Sequence, residues 1–274
     1  MELLKIQTPL QTNLKTYNMM NSNKYFDIYR IANLMRRSAV LNTRMVLIAF
    51  AAVGGLLLIV FLSDTFSRGY INYTPLMNLF YVILFAGGFI FTSQSFNELQ
   101  KPEKGYHYLT LPASHFEKLF TKWLFSTIIY LAAAYIALYM IALIGAGLSV
   151  ALFKAEFKFL ALLNYEPFRM AGIYMVLQPI FLLGAAYFRR HSFIKTLLTL
   201  IIIAIIIGIF TTIVSYLMFG SYGLETSSFT DSNIPGPHIV FTETIPQISN
   251  ILFWYVMGPF FLVVSYFRLT ETQV

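Results

Sequence analysis

Long apolar runs alternate with short polar or charged connections along most of the chain. A helix rises 1.5 Å per residue, so crossing a hydrocarbon core about 30 Å thick takes roughly 20 residues. Runs of about that length occur at approximately residues 45–62, 76–96, 123–148, 170–188, 196–219 and 248–267. Each predicts a membrane-spanning helix, which makes the expected fold all-α and polytopic, with six transmembrane helices and a transmembrane domain over residues 45–267.

The flanks read differently. Residues 1–23 are polar, without apolar period, and predict a disordered tail or a stretch upstream of a start at Met19 or Met20. In 24–44, Phe26, Tyr29, Ile31, Leu34, Met35 and Val40 fall at mainly helical spacing, with Asp27, Arg30, Arg36, Arg37 and Arg44 on a charged face. That pattern predicts an amphipathic helix lying along the inner membrane surface and leading into the first span. A plain basic flank that sets topology accounts for the same charges. Beyond the third span, "FKAEFKFLALLNYEPFR" predicts a short interfacial helix, and residues 188–195 a tight turn between the fourth and fifth spans. Residues 220–247 hold Gly220, Gly223, Pro235, Gly236, Pro237 and Pro246, and predict a loop long enough to act as a lid or cover. Residues 268–274 form a short tail.

Composition agrees: 58% of residues are hydrophobic and 11% charged, where a soluble domain carries about a quarter charged. The first apolar run follows more than forty residues rich in cations, unlike a cleaved signal peptide. Lys and Arg are retained on the cytoplasmic side of short loops. Alternating segments put Lys5, Lys15, Lys24, Arg30, Arg36, Arg37 and Arg44 on one side, with Lys101, Lys104, Lys118, Lys122, Arg189, Arg190, Lys195 and Arg268. Only Arg68, Lys154, Lys158 and Arg169 fall on the other. The expected location is the cytoplasmic (inner) membrane, multi-pass, with both termini cytoplasmic. The net charge of +7 is then a topology signal and argues against a nucleic-acid partner. With no cysteine, disulfide and thiolate chemistry are excluded.

The predicted spans hold no Asp, Glu, Lys, Arg or His near their middles, which argues against proton or sodium coupling through this chain. Gln94, near an end, and Gln178 are the main polar exceptions, suited to hydrogen bonding between helices. His107, His115, His191 and His238 all fall in connections, and neither an HExxH pattern nor a GxxxxGK[ST] phosphate loop occurs. An intramembrane hydrolase therefore lacks its catalytic set, no metal or cofactor site is expected, and any use of ATP falls to a partner.

The remaining polar stretch, "TLPASHFEKLFTKW" at 110–123, has the S-x-x-E spacing of a capping box, Ser114 with Glu117, after Pro112. Phe116, Leu119, Phe120, Trp123 and Leu124 recur at i, i+3, i+4, i+7 and i+8, with His115, Lys118 and Lys122 opposite. This predicts a short amphipathic helix directly before the third span, able to dock on the bilayer or on a soluble partner.

"KGYHYLTLPASHFEKLFTKWL" resembles the cytoplasmic segment between the second and third spans of ABC-2 type exporter permeases, and residues 24–44 resemble the connecting helix of that family. The resemblance implies a six-span permease whose amphipathic coupling helix meets a separately encoded ABC ATPase that binds ATP and Mg. It implies Leu111, Pro112, Ser114, His115, Phe116, Glu117 and Lys118 as the contact, with Glu117 also serving as the cap. A second permease copy or a related permease completes the pore, surrounded by membrane lipid. The 220–247 loop departs from the family, many of whose members carry short re-entrant helices there. The expected function is export of a hydrophobic or amphipathic substrate, by a non-catalytic subunit. The alternative is a membrane scaffold or sensor whose basic N-terminal helix recruits a cytoplasmic partner or anionic lipid.

Overall fold

The computed structural model describes residues 28–96, 114–157, 159–160, 165–188, 191–219 and 244–271. Among them the chain is helical, with no strand. Its elements are α1 (Ile28–Arg68), α2 (Thr74–Ser93), α3 (His115–Leu124), a π-helical turn (Phe125–Ile129), α4 (Tyr130–Phe153), α5 (Tyr165–Tyr187), α6 (Ser192–Phe219), α7 (Ile245–Ile251), a second π-helical turn (Leu252–Met257) and α8 (Gly258–Glu271). Six helical stretches are long and apolar enough to cross a membrane: Ile48–Arg68, Thr74–Ser93, His115–Phe153, Tyr165–Tyr187, Ser192–Val214 and Ile245–Glu271. The six expected spans are present as helices.

Their joints differ from the expected ones. α1 runs unbroken from Ile28, through the described part of the predicted connecting helix, to the end of the first span; residues 24–27 lie outside the described residues. Arg36 on it is exposed, and the side chains of Arg30, Arg37 and Arg44 lie outside the described residues. The interfacial helix expected after the third span does not form at residues 154–157 and 159–160, which are irregular. Lys154 ends α4 in the left-handed conformation, φ 54°, and that reversal takes the chain off the helical path. Of the short connection between α5 and α6, residues 189–190 lie outside the described residues, and His191 is also left-handed. The tail 1–23 and residues 220–243 lie outside the described residues.

Small residues set the packing. On α2 every fourth position is buried, from Leu76 through Phe80, Leu84 and Gly88 to Thr92, and α4 repeats the pattern with Ala134, Leu138, Ala142 and Ala146. Such i, i+4 rows of small and branched residues let helices approach closely where burial from water gives no drive. Leu57 and Phe61 of α1 and Tyr174 of α5 close this core. A Cβ on Gly145 of α4 would lie 2.6 Å from the Phe61 ring, so only glycine fits there. A second, smaller core joins Phe96, Leu119 of α3, Leu182 and Ala185 of α5, and Leu269 of α8, with Trp123 and Tyr266 against it. α5 is central, packing on α2, α6 and most extensively α8.

Candidate functional site

Ser114 stands at the entrance to α3 with extended backbone, φ −67° and ψ 157°. Its Oγ accepts from Glu117 N–H at 3.1 Å, and the Glu117 carboxylate accepts from Ser114 N–H at 2.8 Å. The capping box expected from the sequence is formed. It satisfies two backbone donors at the start of the helix and places Glu117 where the positive end of the helix dipole favours it.

Spacing puts Lys118 with His115 and Lys122 on a polar outer side of α3, and the structure turns it inward: Lys118 is 3% exposed and Glu117 0%. Thr121 is buried beside them, its Oγ1 donating to the Glu117 carbonyl at 2.7 Å. The cause is tertiary. α3 is flanked by α1, α5 and α8, so it is covered on its polar face as well as along Leu119. What stays open is the aromatic edge, where Phe116 is 47% exposed. Phe116 stacks on Phe120 at 5.8 Å between ring centroids and meets the edge of Tyr266 at 6.4 Å. His115 is half-buried, and Leu111 and Pro112 lie outside the described residues.

α3 passes without interruption into the third span through the π-helical turn. A π turn shifts the hydrogen-bond register by one residue and releases a carbonyl from the ladder. Here Tyr130 N–H donates to the carbonyls of Phe125 and Thr127 and bypasses that of Ser126. The Ser126 carbonyl instead accepts from Tyr174 Oη at 2.9 Å and Gln178 Nε2 at 3.3 Å, both on α5. Gln178 Nε2 also donates to Tyr174 Oη, and Gln178 Oε1 accepts from Thr92 Oγ1 of α2 at 2.8 Å. All four residues are buried. In hydrocarbon each released backbone group needs a protein partner, and this network supplies one. Pro179, next in the chain, has no N–H to return to the Met175 carbonyl, so α5 is weakened one residue past its bond to the π turn.

Glycine allows the close approach. A Cβ on Gly88 of α2 would lie 2.3 Å from Tyr174 Oη and 2.5 Å from its ring. Around the network Phe89 stacks on Phe181 at 4.0 Å, and Tyr130 on Tyr174 at 5.9 Å. Gln178 is the bonding residue its place in an apolar run suggested. Tyr174 and the π turn escape a reading by composition; the signal for the tyrosine is its i, i+4 spacing to Gln178. Among the described residues no group of three or more His, Asp or Glu is arranged to hold a metal ion.

The fold defines the class: a multi-pass membrane protein with six helices long and apolar enough to span, the third of them continuous with α3 and hydrogen-bonded through its π turn to α5. Beyond that class, no family model, curated protein or solved structure matches the chain.

Proposed function

We propose that this chain is the permease subunit of an ATP-driven exporter of the ABC-2 type, one half of a dimeric pore in the cytoplasmic membrane. A separate ATPase subunit, carrying ATP and Mg, docks at α3. The observation that supports the reading is continuity. A helix with a formed cap and an exposed phenylalanine at its tip runs through a π turn into a span, and the turn is hydrogen-bonded to the central helix α5. A push on α3 has a stiff path into the bundle.

The contact we infer is narrower than the resemblance implies. Glu117 and Lys118 are enclosed by neighbouring helices, so their part is to seat α3, while Phe116, with His115 beside it, is the group able to enter a cleft. Closure of the ATPase pair on ATP drives the spans between two arrangements to the extent that it binds one better than the other. The substrate we infer is hydrophobic or amphipathic.

Phe116→Asp tests this. A charge at an apolar contact costs ~2 kcal/mol or more. ATPase stimulation by the membrane subunit is expected to fall at least ~10-fold while insertion and thermal stability stay unchanged. Full stimulation by that variant would exclude α3 as the contact and favour a scaffold that does not transport.

A further inference from the structure

Buried threonines in the regular helices bond in one way: Thr65, Thr121 and Thr196 each donate Oγ1 to the carbonyl four residues before, at 3.0, 2.7 and 2.8 Å. Thr127, in the π turn, is as fully buried, yet its Oγ1 has no partner among the described residues. The acceptor it would use, the Trp123 carbonyl, receives Ser126 Oγ instead, at 3.3 Å and from one residue nearer. A buried donor left unpaired costs more than an average hydrogen bond gains, so the π turn persists against a local penalty. What holds it lies on α5, where Tyr174 Oη and Gln178 Nε2 donate to the released Ser126 carbonyl.

A closed turn reverses both terms. As regular α-helix, the Tyr130 N–H returns to the Ser126 carbonyl, which then leaves its α5 donors, and Thr127 Oγ1 bonds to the Trp123 carbonyl as the other buried threonines do to theirs. A π turn takes up one residue more than an α turn. Closing it therefore moves each residue of α3 into the place of the one before it, a rotation of about 100° with an advance of about 1.5 Å. Glu117 comes to the exposed place of Phe116, and Phe120 to the buried place of Leu119. The capping box lies within α3 and turns with it.

We infer that the Phe125–Ile129 turn is a register switch, whose second, α-helical form turns α3 by one residue and replaces Phe116 with Glu117 at its exposed edge. Each form is stiff, and the change between them is a discrete step. A partner that binds Phe116 favours the π form, and one that binds Glu117 the closed form. The switch rests on bonding inside this chain and is independent of whether an ATPase docks at α3.

The test uses the absence of cysteine from the chain. Single cysteines are placed at Phe120, which is half-buried, and at Thr121, which is buried, and their rates of labelling by N-ethylmaleimide are compared on the full chain in nanodiscs. Tyr174→Phe with Gln178→Leu removes both donors to the Ser126 carbonyl. The rate at 121 is then expected to rise and that at 120 to fall, moving their ratio at least ~10-fold, which corresponds to ~1.4 kcal/mol. If that double variant does not fold, Gln178→Leu alone moves the ratio in the same direction. Thr127→Val removes what the closed form gains, and is expected to keep the ratio at or below its starting value without lowering the midpoint of thermal unfolding. Deletion of Ile128 takes the extra residue out of the turn, so the ratio should no longer respond to Gln178→Leu. Rates that rise together at 120 and 121, as in a loosened helix, overturn the inference, and so does an unchanged ratio in a folded variant that lacks the α5 donors. A lower midpoint for Thr127→Val also overturns it, because the hydroxyl would then already be satisfied in the π turn, as by a buried water. A ratio that still shifts after deletion of Ile128 does the same.

Discussion

α3 and α6 both present large apolar side chains to their surroundings, from very differently packed helices. In α6 none of the span Ser192–Val214 is buried beyond Thr196: Ile205 is 56% exposed and Phe210 67%. It is held at one end, where Ser192 Oγ donates to the Ser93 carbonyl at 2.6 Å and Thr196 meets Gly184 of α5. Its exposed isoleucines match lipid, and nothing more is needed to account for them. α3 buries a glutamate and a lysine and leaves Phe116 outside, at the polar end of the bundle and in its first turn after the cap. Exposure alone does not separate an apolar residue that wants lipid from one that wants a partner. Under the docking proposed above, Phe116 is of the second kind and the isoleucines of α6 are of the first.

Several substitutions break or sharpen that contrast. The largest stability effect is expected where α6 is pinned. A Cβ at Gly184 would lie 1.9 Å from Thr196 Oγ1 and 2.8 Å from its Cβ, so Gly184→Val forces α5 and α6 apart. Overpacking of that kind costs about 1–3 kcal/mol, read as a lower midpoint of thermal unfolding in detergent. Gln178→Leu removes the bonds to Thr92 and Ser126. Interhelical side-chain bonds in membranes average ~0.6 kcal/mol each and reach ~1.7, so a loss of about 1–2 kcal/mol is expected, with faster amide exchange at the π turn. Ser114→Ala removes one half of the capping box and should cost ~1 kcal/mol, seen as increased exchange in the first turn of α3 and none in α6. Ile205→Ala on the lipid face should change stability by less than about 0.5 kcal/mol. A large effect there would mean that α6 is covered by protein.

The sequence carried the six spans because each is a single uninterrupted apolar run, and it carried the capping box because Ser114 and Glu117 act within one turn. It did not carry the rotation of α3. Hydrophobic periodicity assigns Lys118 to an outer face on the assumption that a helix has one buried side. α3 is enclosed by α1, α5 and α8, and that enclosure depends on residues far away in the chain. The π turn was equally hidden, since "FSTII" in an apolar run has no mark of a register shift. Its cause lies on α5, where Tyr174 and Gln178 accommodate the displaced Ser126 carbonyl. The interfacial helix expected from the aromatic residues and the four-residue spacing of two lysines is absent at residues 154–157 and 159–160, where the left-handed Lys154 diverts the chain.

The contrast between α3 and α6 also provides the most direct measurement of the docking claim. A benzophenone amino acid placed at Phe116, and in a second variant at Ile205, is irradiated in native membranes and the products are identified by mass spectrometry. The account predicts that position 116 crosslinks to a P-loop ATPase subunit and that position 205 yields only lipid adducts. Lipid adducts at both positions, with no ATPase recovered at 116, would contradict it.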